Sequence, residues 1–225
     1  MLNDRDLVRY TAIMTKQAEY LSVRNISAVV LAGGESQRLG MDKALLELDG
    51  QTLLARTVYK VASLSDDVIV VTNNRDRYQH LGLDVRFVPD EQPGEGALMG
   101  LYSGLQAARH AAAFAVACDM PFLNVSLLRH MLAESTSYDV VVPRLESDLL
   151  EPLHAIYSRR CLPLMARLLE QGRRRIFAFF ADVRVRYIEE ATIARFDPLH
   201  LSFVNVNTPA DWQLAQDLIA RAKAE

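Results

Sequence analysis

The chain predicts an α/β fold: a three-layer sandwich with a mostly parallel central sheet and helices on both faces. Three observations predict it. Short apolar runs alternate with segments of helical spacing along most of the 225 residues. Some of these runs, such as DVIVV at Asp67–Val71 and FAVAC at Phe114–Cys118, are continuous, as expected of strands buried on both faces. Half of the residues are hydrophobic and 24% are charged, the composition of one well-cored domain.

Taken in order, Asp4–Leu21 places Leu7, Tyr10, Ile13, Met14, Ala18 and Leu21 at roughly helical spacing. Residues 1–25 are therefore expected to form a helical extension, and 26–225 the main domain. Ser27–Leu31 reads as the first strand. Thr52–Leu64 reads as a helix capped by Thr52, with Leu53, Leu54, Val58 and Val61 on its inner face. Asp67–Val71 is a strand, and Val85–Val88 is a short one ending at Pro89. A helix over Gly100–Ala113 leads into the strand Phe114–Cys118. Leu127–Glu134 is helical, and Tyr138–Val142 is a strand stopped by Pro143. Leu153–Tyr157 is a strand, Arg159–Glu170 a helix and Val183–Tyr187 a short strand. Pro209–Ala222 closes the chain as a helix, with proline in the first turn after Asn207-Thr208. No repeat or long linker divides the sequence.

The composition also excludes function classes. A net charge of −3 shows no basic excess for a nucleic-acid partner. No apolar run is long enough for a membrane helix. The first residues carry mixed charges and no apolar core, unlike a signal peptide. Cys118 and Cys161 lie in apolar or helix-like contexts, so reduced thiols and a cytoplasmic location are expected.

In parallel sheets, ligands bind beyond the carboxyl ends of the strands. That rule selects Ala32–Lys43, Thr72–Arg75, Asp90–Gly100 and Asp119–Phe122. The first is the most informative. In VVLAGGESQRLGMDK (Val29–Lys43), an apolar strand runs into Gly33-Gly34, and two cations follow, Arg38 and Lys43. Successive N–H groups in a glycine turn form an anion-binding concavity. Neither G-x-G-x-x-G nor G-x-x-x-x-G-K-[ST] is present, which removes the dinucleotide fingerprint and the P-loop. Asp119 ends an apolar strand, where a carboxylate is well placed to hold Mg²⁺. Asp90 stands in the same relation to its own strand. Gly100 is expected at a helix start with free N–H groups, whereas Gly104 suits close packing of that helix on the sheet. Asn205 and Asn207 share a face if the backbone is extended, and Asn207 or Thr208 is equally suited to cap the last helix. Arg173-Arg174-Arg175 is either a phosphate receptor or a solvated turn. Nucleophilic catalysis has no support: Ser36 and Ser103 lack His and Asp partners at recognisable spacing. The five histidines lack metal-ligand spacing, and His154 reads as a core or cleft residue.

LAGGESQRLGMDKALLELDG, CDMPFL and FVNVNTPADW together resemble the molybdenum cofactor guanylyltransferases, a branch of the nucleotidyltransferases, from about Ser27 onward. The resemblance implies a Rossmann-like fold of nucleotidyltransferase type. It implies transfer of GMP from GTP to the phosphate of molybdopterin, dependent on Mg²⁺, with release of pyrophosphate. Carried onto this chain, Leu31, Ala32, Gly33 and Gly34 meet the nucleotide, with Gly34 leaving room for a purine. Lys43 neutralises phosphates, with Arg38 beside it. Thr72 and Asp90 contact the nucleoside, Gly100 lies against the nucleotide, and Asp119 binds Mg²⁺. Asn205 and Asn207 match a motif on the pterin side. Molybdoenzymes or cofactor-insertion proteins are candidate partners, and monomer and dimer are both open. The chain departs from the family's G-P-L-A-G at Gly96–Gly100 and from its usual Asn at Thr72, which bears on base preference. The rivals are a molybdopterin cytidylyltransferase, a sugar-phosphate nucleotidyltransferase and, outside enzymes, a nucleotide-binding regulatory or assembly protein.

Overall fold

A computed structural model describes residues 25–33 and 42–224. The expected N-terminal helix, Gly34 and Arg38 lie outside the described residues. In chain order the strands are β1 (Ser27–Leu31), β2 (Glu47–Leu48), β3 (Gln51–Thr52), β4 (Asp67–Val71), β5 (Arg86–Val88), β6 (Ala112–Ala117), β7 (Val140–Arg144), β8 (His154–Ser158) and β9 (Val185–Glu189). The helices are α1 (Leu53–Ala62), α2 (Ala97–Ala107), α3 (Val125–Glu134), α4 (Leu162–Glu170), α5 (Glu190–Ile193) and α6 (Pro209–Ala224). Seven strands form one sheet in the order β5-β4-β1-β6-β8-β7-β9. Only β8 runs against its neighbours. β1 pairs in parallel with both β4 and β6, so the strand order reverses at β1, as at the ligand-binding edge of open parallel sheets. Among the described residues no helix is long and apolar enough to cross a membrane.

The two faces follow from period-two alternation. Ala28, Val30, Val68 and Val70 point to one side, where Leu54 and Val58 of α1 and Leu127 and Met131 of α3 cover them. Val29, Leu31, Ile69 and Val71 point to the other, under Leu98 and Leu101 of α2 and Met165 and Leu168 of α4. A smaller cluster, with Leu46, Leu48, Leu53, Phe122, Val206 and Trp212, ties the β2–β3 hairpin to α6.

Gly104 has the packing role expected of it. A Cβ there would overlap Val29 Cγ1 and lie 2.9 Å from Val71 Cγ2. Gly104→Ala is expected to destabilise the protein by about 2 kcal/mol despite the better helix propensity of alanine, read as a lower urea midpoint with unchanged slope.

Several boundaries, and one short hairpin, differ from the sequence reading. The segment expected as helix up to Ala113 and strand from Phe114 divides earlier: α2 ends at Ala107 and β6 starts at Ala112. Alanines favour helix locally, but here pairing of Ala113 with Ser27 and of Ala112 with Ser158 draws them into the sheet. Pro143 does not stop β7. It stays in register with Ile188 of β9, and its carbonyl accepts the Glu151 N–H at 3.2 Å, so the strand runs on to Arg144. The β2–β3 hairpin has strands too short to show a period. Its Asp49-Gly50 turn has positive φ at both positions (58° and 72°), the geometry of a tight hairpin.

Candidate active site

The residues selected at strand ends converge on one edge of the sheet. Leu31 is buried and its carbonyl accepts the Cys118 N–H at 3.1 Å, which locks the end of β1 to the end of β6. The Ala32 N–H donates to the Val71 carbonyl at 3.0 Å, so β1 continues one residue further before Gly33 becomes exposed.

Lys43 opens a short 3-10 turn, Lys43–Leu45, capped by Asp42, whose Oδ1 accepts the Ala44 N–H at 3.1 Å. The Lys43 ammonium donates to Asn207 Oδ1 at 2.6 Å and lies 3.6 Å from Asp119 Oδ2. Asp119 follows β6, and its carbonyl accepts the Val206 N–H at 2.9 Å. Its Oδ1 is buried with no hydrogen-bond partner among the described residues. Burial pushes the Asp119 carboxyl above its ordinary range, and Lys43 pulls the other way.

Asp90 repeats part of this pattern. Its Oδ1 is also buried without a partner, and burial raises its carboxyl. The absence of side chains at Gly33 and Gly100 keeps space beside it: a Cβ on Gly33 would lie 3.9 Å from Asp90 Oδ2, and one on Gly100 would lie 3.2 Å from Oδ1. Gly100 itself corrects an expectation. It is not at a helix start, because α2 begins at Ala97 and the Gly100 N–H donates to the Gly96 carbonyl at 3.4 Å. What Gly100 permits is close approach of α2 to Leu31 and Asp90. Thr72 is buried, its N–H donating to Val88 and its Oγ1 accepting the Asn74 N–H at 3.1 Å.

The C-terminal asparagines separate. Capping of α6 is done by Thr208 and Asp211: Thr208 Oγ1 accepts the Asp211 N–H, and Asp211 Oδ2 accepts the N–H groups of Asn207 and Thr208. The Asn207 side chain is thereby left for Lys43. The Asn205 amide instead donates to the Phe203 carbonyl at 3.1 Å. Of the arginine run, Arg174 pairs with Glu95 and donates to the Leu169 carbonyl. Asp42, Asn73 and Tyr78 were not anticipated. Tyr78 donates to Asp42 Oδ2 at 2.9 Å, which fixes that carboxylate, and Asn73 Oδ1 accepts the Asp90 N–H at 3.0 Å, which fixes the backbone that carries Asp90. Only the position of Asp42 beside Lys43 hints at this in the sequence.

His154, at the start of β8, is fully buried against Phe203, with neither ring nitrogen hydrogen-bonded among the described residues. Burial lowers its pKa from 6.5 to about 4. A base whose folded pKa is depressed contributes stability above its unfolded pKa, here 6.5, and loses it as pH falls towards 4. The loss between pH 7 and 5 is expected to be about 2 kcal/mol. His154→Phe should flatten that limb in urea titrations at the two pH values.

A cavity of ≈ 580 Å³ lies at the opposite sheet edge, lined by Ser65, Asp67, Asp84, Arg86 and Arg109. Its deepest carboxylate, Asp67, is already satisfied by Arg86, Ser27 and the Arg109 N–H. The orphaned carboxylate oxygens are at the other edge, with Lys43, and that edge is the candidate active site.

Comparison with known proteins identifies the family. The model of the MobA-like NTP transferase domain matches residues 28–186. The molybdenum cofactor guanylyltransferase of Desulfosudis oleivorans is 39% identical over 196 residues, covering 86% of this chain and 96% of the relative. That of Syntrophotalea carbinolica is 34% identical, covering 83% and 89%. The solved structure of molybdopterin-guanine dinucleotide biosynthesis protein A from Archaeoglobus fulgidus superposes with a TM-score of 0.75 at 26% identity, over 87% of this chain and all of that one. With its fold, its strand-end carboxylates and these matches, the chain belongs to the MobA-like nucleotidyltransferases, on the branch of the molybdenum cofactor guanylyltransferases.

Proposed function

We propose that the protein transfers GMP from GTP to the terminal phosphate of molybdopterin, carrying molybdenum or not, and releases pyrophosphate. The observation that carries this reading is the meeting of Lys43, Asp119 and Asn207. It joins a cation from the nucleotide loop, an unsatisfied carboxylate and an amide from the C-terminal segment.

In this reading, GTP lies along Leu31, Ala32, Gly33 and Gly34, with its nucleoside towards Thr72 and Asp90. Gly100 leaves room beside it. Asn207 holds the Lys43 ammonium by one hydrogen bond and leaves its other donors for phosphate oxygens. Lys43 and Arg38 then stabilise charge that grows on the α-phosphoryl group and the departing pyrophosphate. The orphaned Asp119 oxygen fits Mg²⁺, which takes one or two carboxylates and completes its shell with phosphate oxygens and water. Among the described residues no cluster of three or more His, Cys, Asp or Glu competes with it. Bound there, Mg²⁺ supplies charge neutralisation to the triphosphate. In the same reading the acceptor's side of the site is assigned to Asn205 and Asn207, the former with its amide held by the Phe203 carbonyl. The acceptor phosphate is anionic at neutral pH, with a second pKa of ~6, so the site needs no general base. Its work is alignment of two bound anions. A cytoplasmic location, with molybdoenzymes or cofactor-insertion proteins receiving the product, fits the same reading.

The test is pyrophosphate release with Mg²⁺, GTP and molybdopterin, and detection of the guanine dinucleotide by mass. A thermal-shift panel checks the base. Stabilisation by GTP alone is expected, whereas stabilisation by CTP alone would move the assignment to cytidylyl transfer. Absence of product with every nucleotide would leave the regulatory alternative.

A further inference from the structure

The loop that carries Asp119 is hung from a helix on the far side of it. After β6 the chain runs Cys118-Asp119-Met120-Pro121-Phe122-Leu123 without regular structure. Its carbonyls find partners elsewhere. Thr57 Oγ1 donates to the Cys118 carbonyl at 3.5 Å, Arg56 Nε to Pro121 at 3.0 Å, and Lys60 Nζ to Pro121 at 3.3 Å and Leu123 at 2.8 Å. Arg56 and Lys60 are four residues apart on α1, so they share one face. From the other side, the Val206 N–H takes the Asp119 carbonyl. Burial, with Arg56 alongside, lowers the Lys60 pKa to about 8. Lys60 is partly buried, with its ammonium on the Pro121 and Leu123 carbonyls.

We propose that Arg56 and Lys60 are positioning residues for the transfer reaction. By holding the Pro121 and Leu123 carbonyls, they fix the backbone that presents the Asp119 carboxylate to the metal and triphosphate. The proposal rests on the reading of Asp119 as the metal-binding carboxylate. Charge-assisted hydrogen bonds are the stronger kind, and two donors from one rigid helix give the loop a single orientation. Neither side chain is assigned contact with substrate. Groups that orient a metal ligand typically change metal affinity without binding the metal themselves.

The experiment compares wild type, Lys60→Met and Lys60→Arg as full chains. Mn²⁺ binding in the presence of a non-hydrolysable GTP analogue is read by electron paramagnetic resonance, beside steady-state kinetics. Lys60→Met is expected to weaken Mn²⁺ binding about tenfold and to lower kcat with little change in the KM for GTP. Lys60→Arg should restore both, because it keeps a charged donor. Should Lys60→Met not fold, Arg56→Gln carries the test through the same Pro121 carbonyl. Unchanged Mn²⁺ affinity in a folded variant, or a loss that Lys60→Arg does not restore, overturns the proposal. Asp119→Asn separates the layers. If it leaves Mn²⁺ binding intact, the metal reading fails. If it abolishes binding while Lys60→Met has no effect, the positioning role alone fails.

Discussion

Lys43→Ala is expected to lower kcat by about 10²–10³-fold, the usual cost of removing one preorganised group from a transition-state anion. The melting temperature should move by less than ~4 °C, the equivalent of about 1 kcal/mol in a domain of this size. The two effects separate because the polar contacts of the Lys43 ammonium, to Asn207 and Asp119, lie within the site itself. A second signature accompanies the first. Lys43 is what opposes the upward shift of the Asp119 carboxyl, so its loss should move the acid limb of activity to higher pH. Parallel loss of activity and stability would contradict the assignment and return Lys43 to a structural role.

Asp119→Asn is expected to abolish metal-dependent turnover, by at least ~10³-fold if the carboxylate is the metal's protein ligand. Stability should stay level or rise. Burial already disfavours the ionised Asp119, and one of its oxygens has no partner. Removing a poorly satisfied buried charge relieves a desolvation cost. Activity and stability moving in opposite directions is the pattern of a group retained for chemistry at the expense of the fold. Mg²⁺ titrations of activity beside calorimetric melts read both. A variant with normal Mg²⁺-dependent turnover would remove Asp119 from the mechanism.

The parts of the fold that local chemistry controls were legible in the sequence. β1 and β4 have the bounds expected of them, Ser27–Leu31 and Asp67–Val71, and α1 starts at its Thr52 cap, whose Oγ1 accepts the Ala55 N–H. Legibility failed where long-range pairing overrides propensity, as at Ala112–Ala113, and where an element is too short to carry a period, as in β2 and β3. The site shows the same division. Lys43, Asp90 and Asp119 stood out because strand ends in parallel sheets are where ligands bind. That Asn207 turns to Lys43 rather than capping α6 depends on Asp211 taking over the cap, and no spacing rule reveals such a substitution of roles. The hold of Arg56 and Lys60 on the Asp119 loop was equally invisible, because exposed-looking helix cations normally face water.

The pairing of Lys43 with Asn207 spans 164 positions of sequence. During synthesis the β1–β4–β6 body can assemble from the first half of the chain, but the site cannot close until α6 has emerged. Trp212, the chain's single tryptophan, sits in the cluster beneath that closure with Leu46, Leu48 and Val206. Its emission during refolding therefore reports the joining of the two ends of the site, and separates a chain that has merely folded its sheet from one able to bind both substrates.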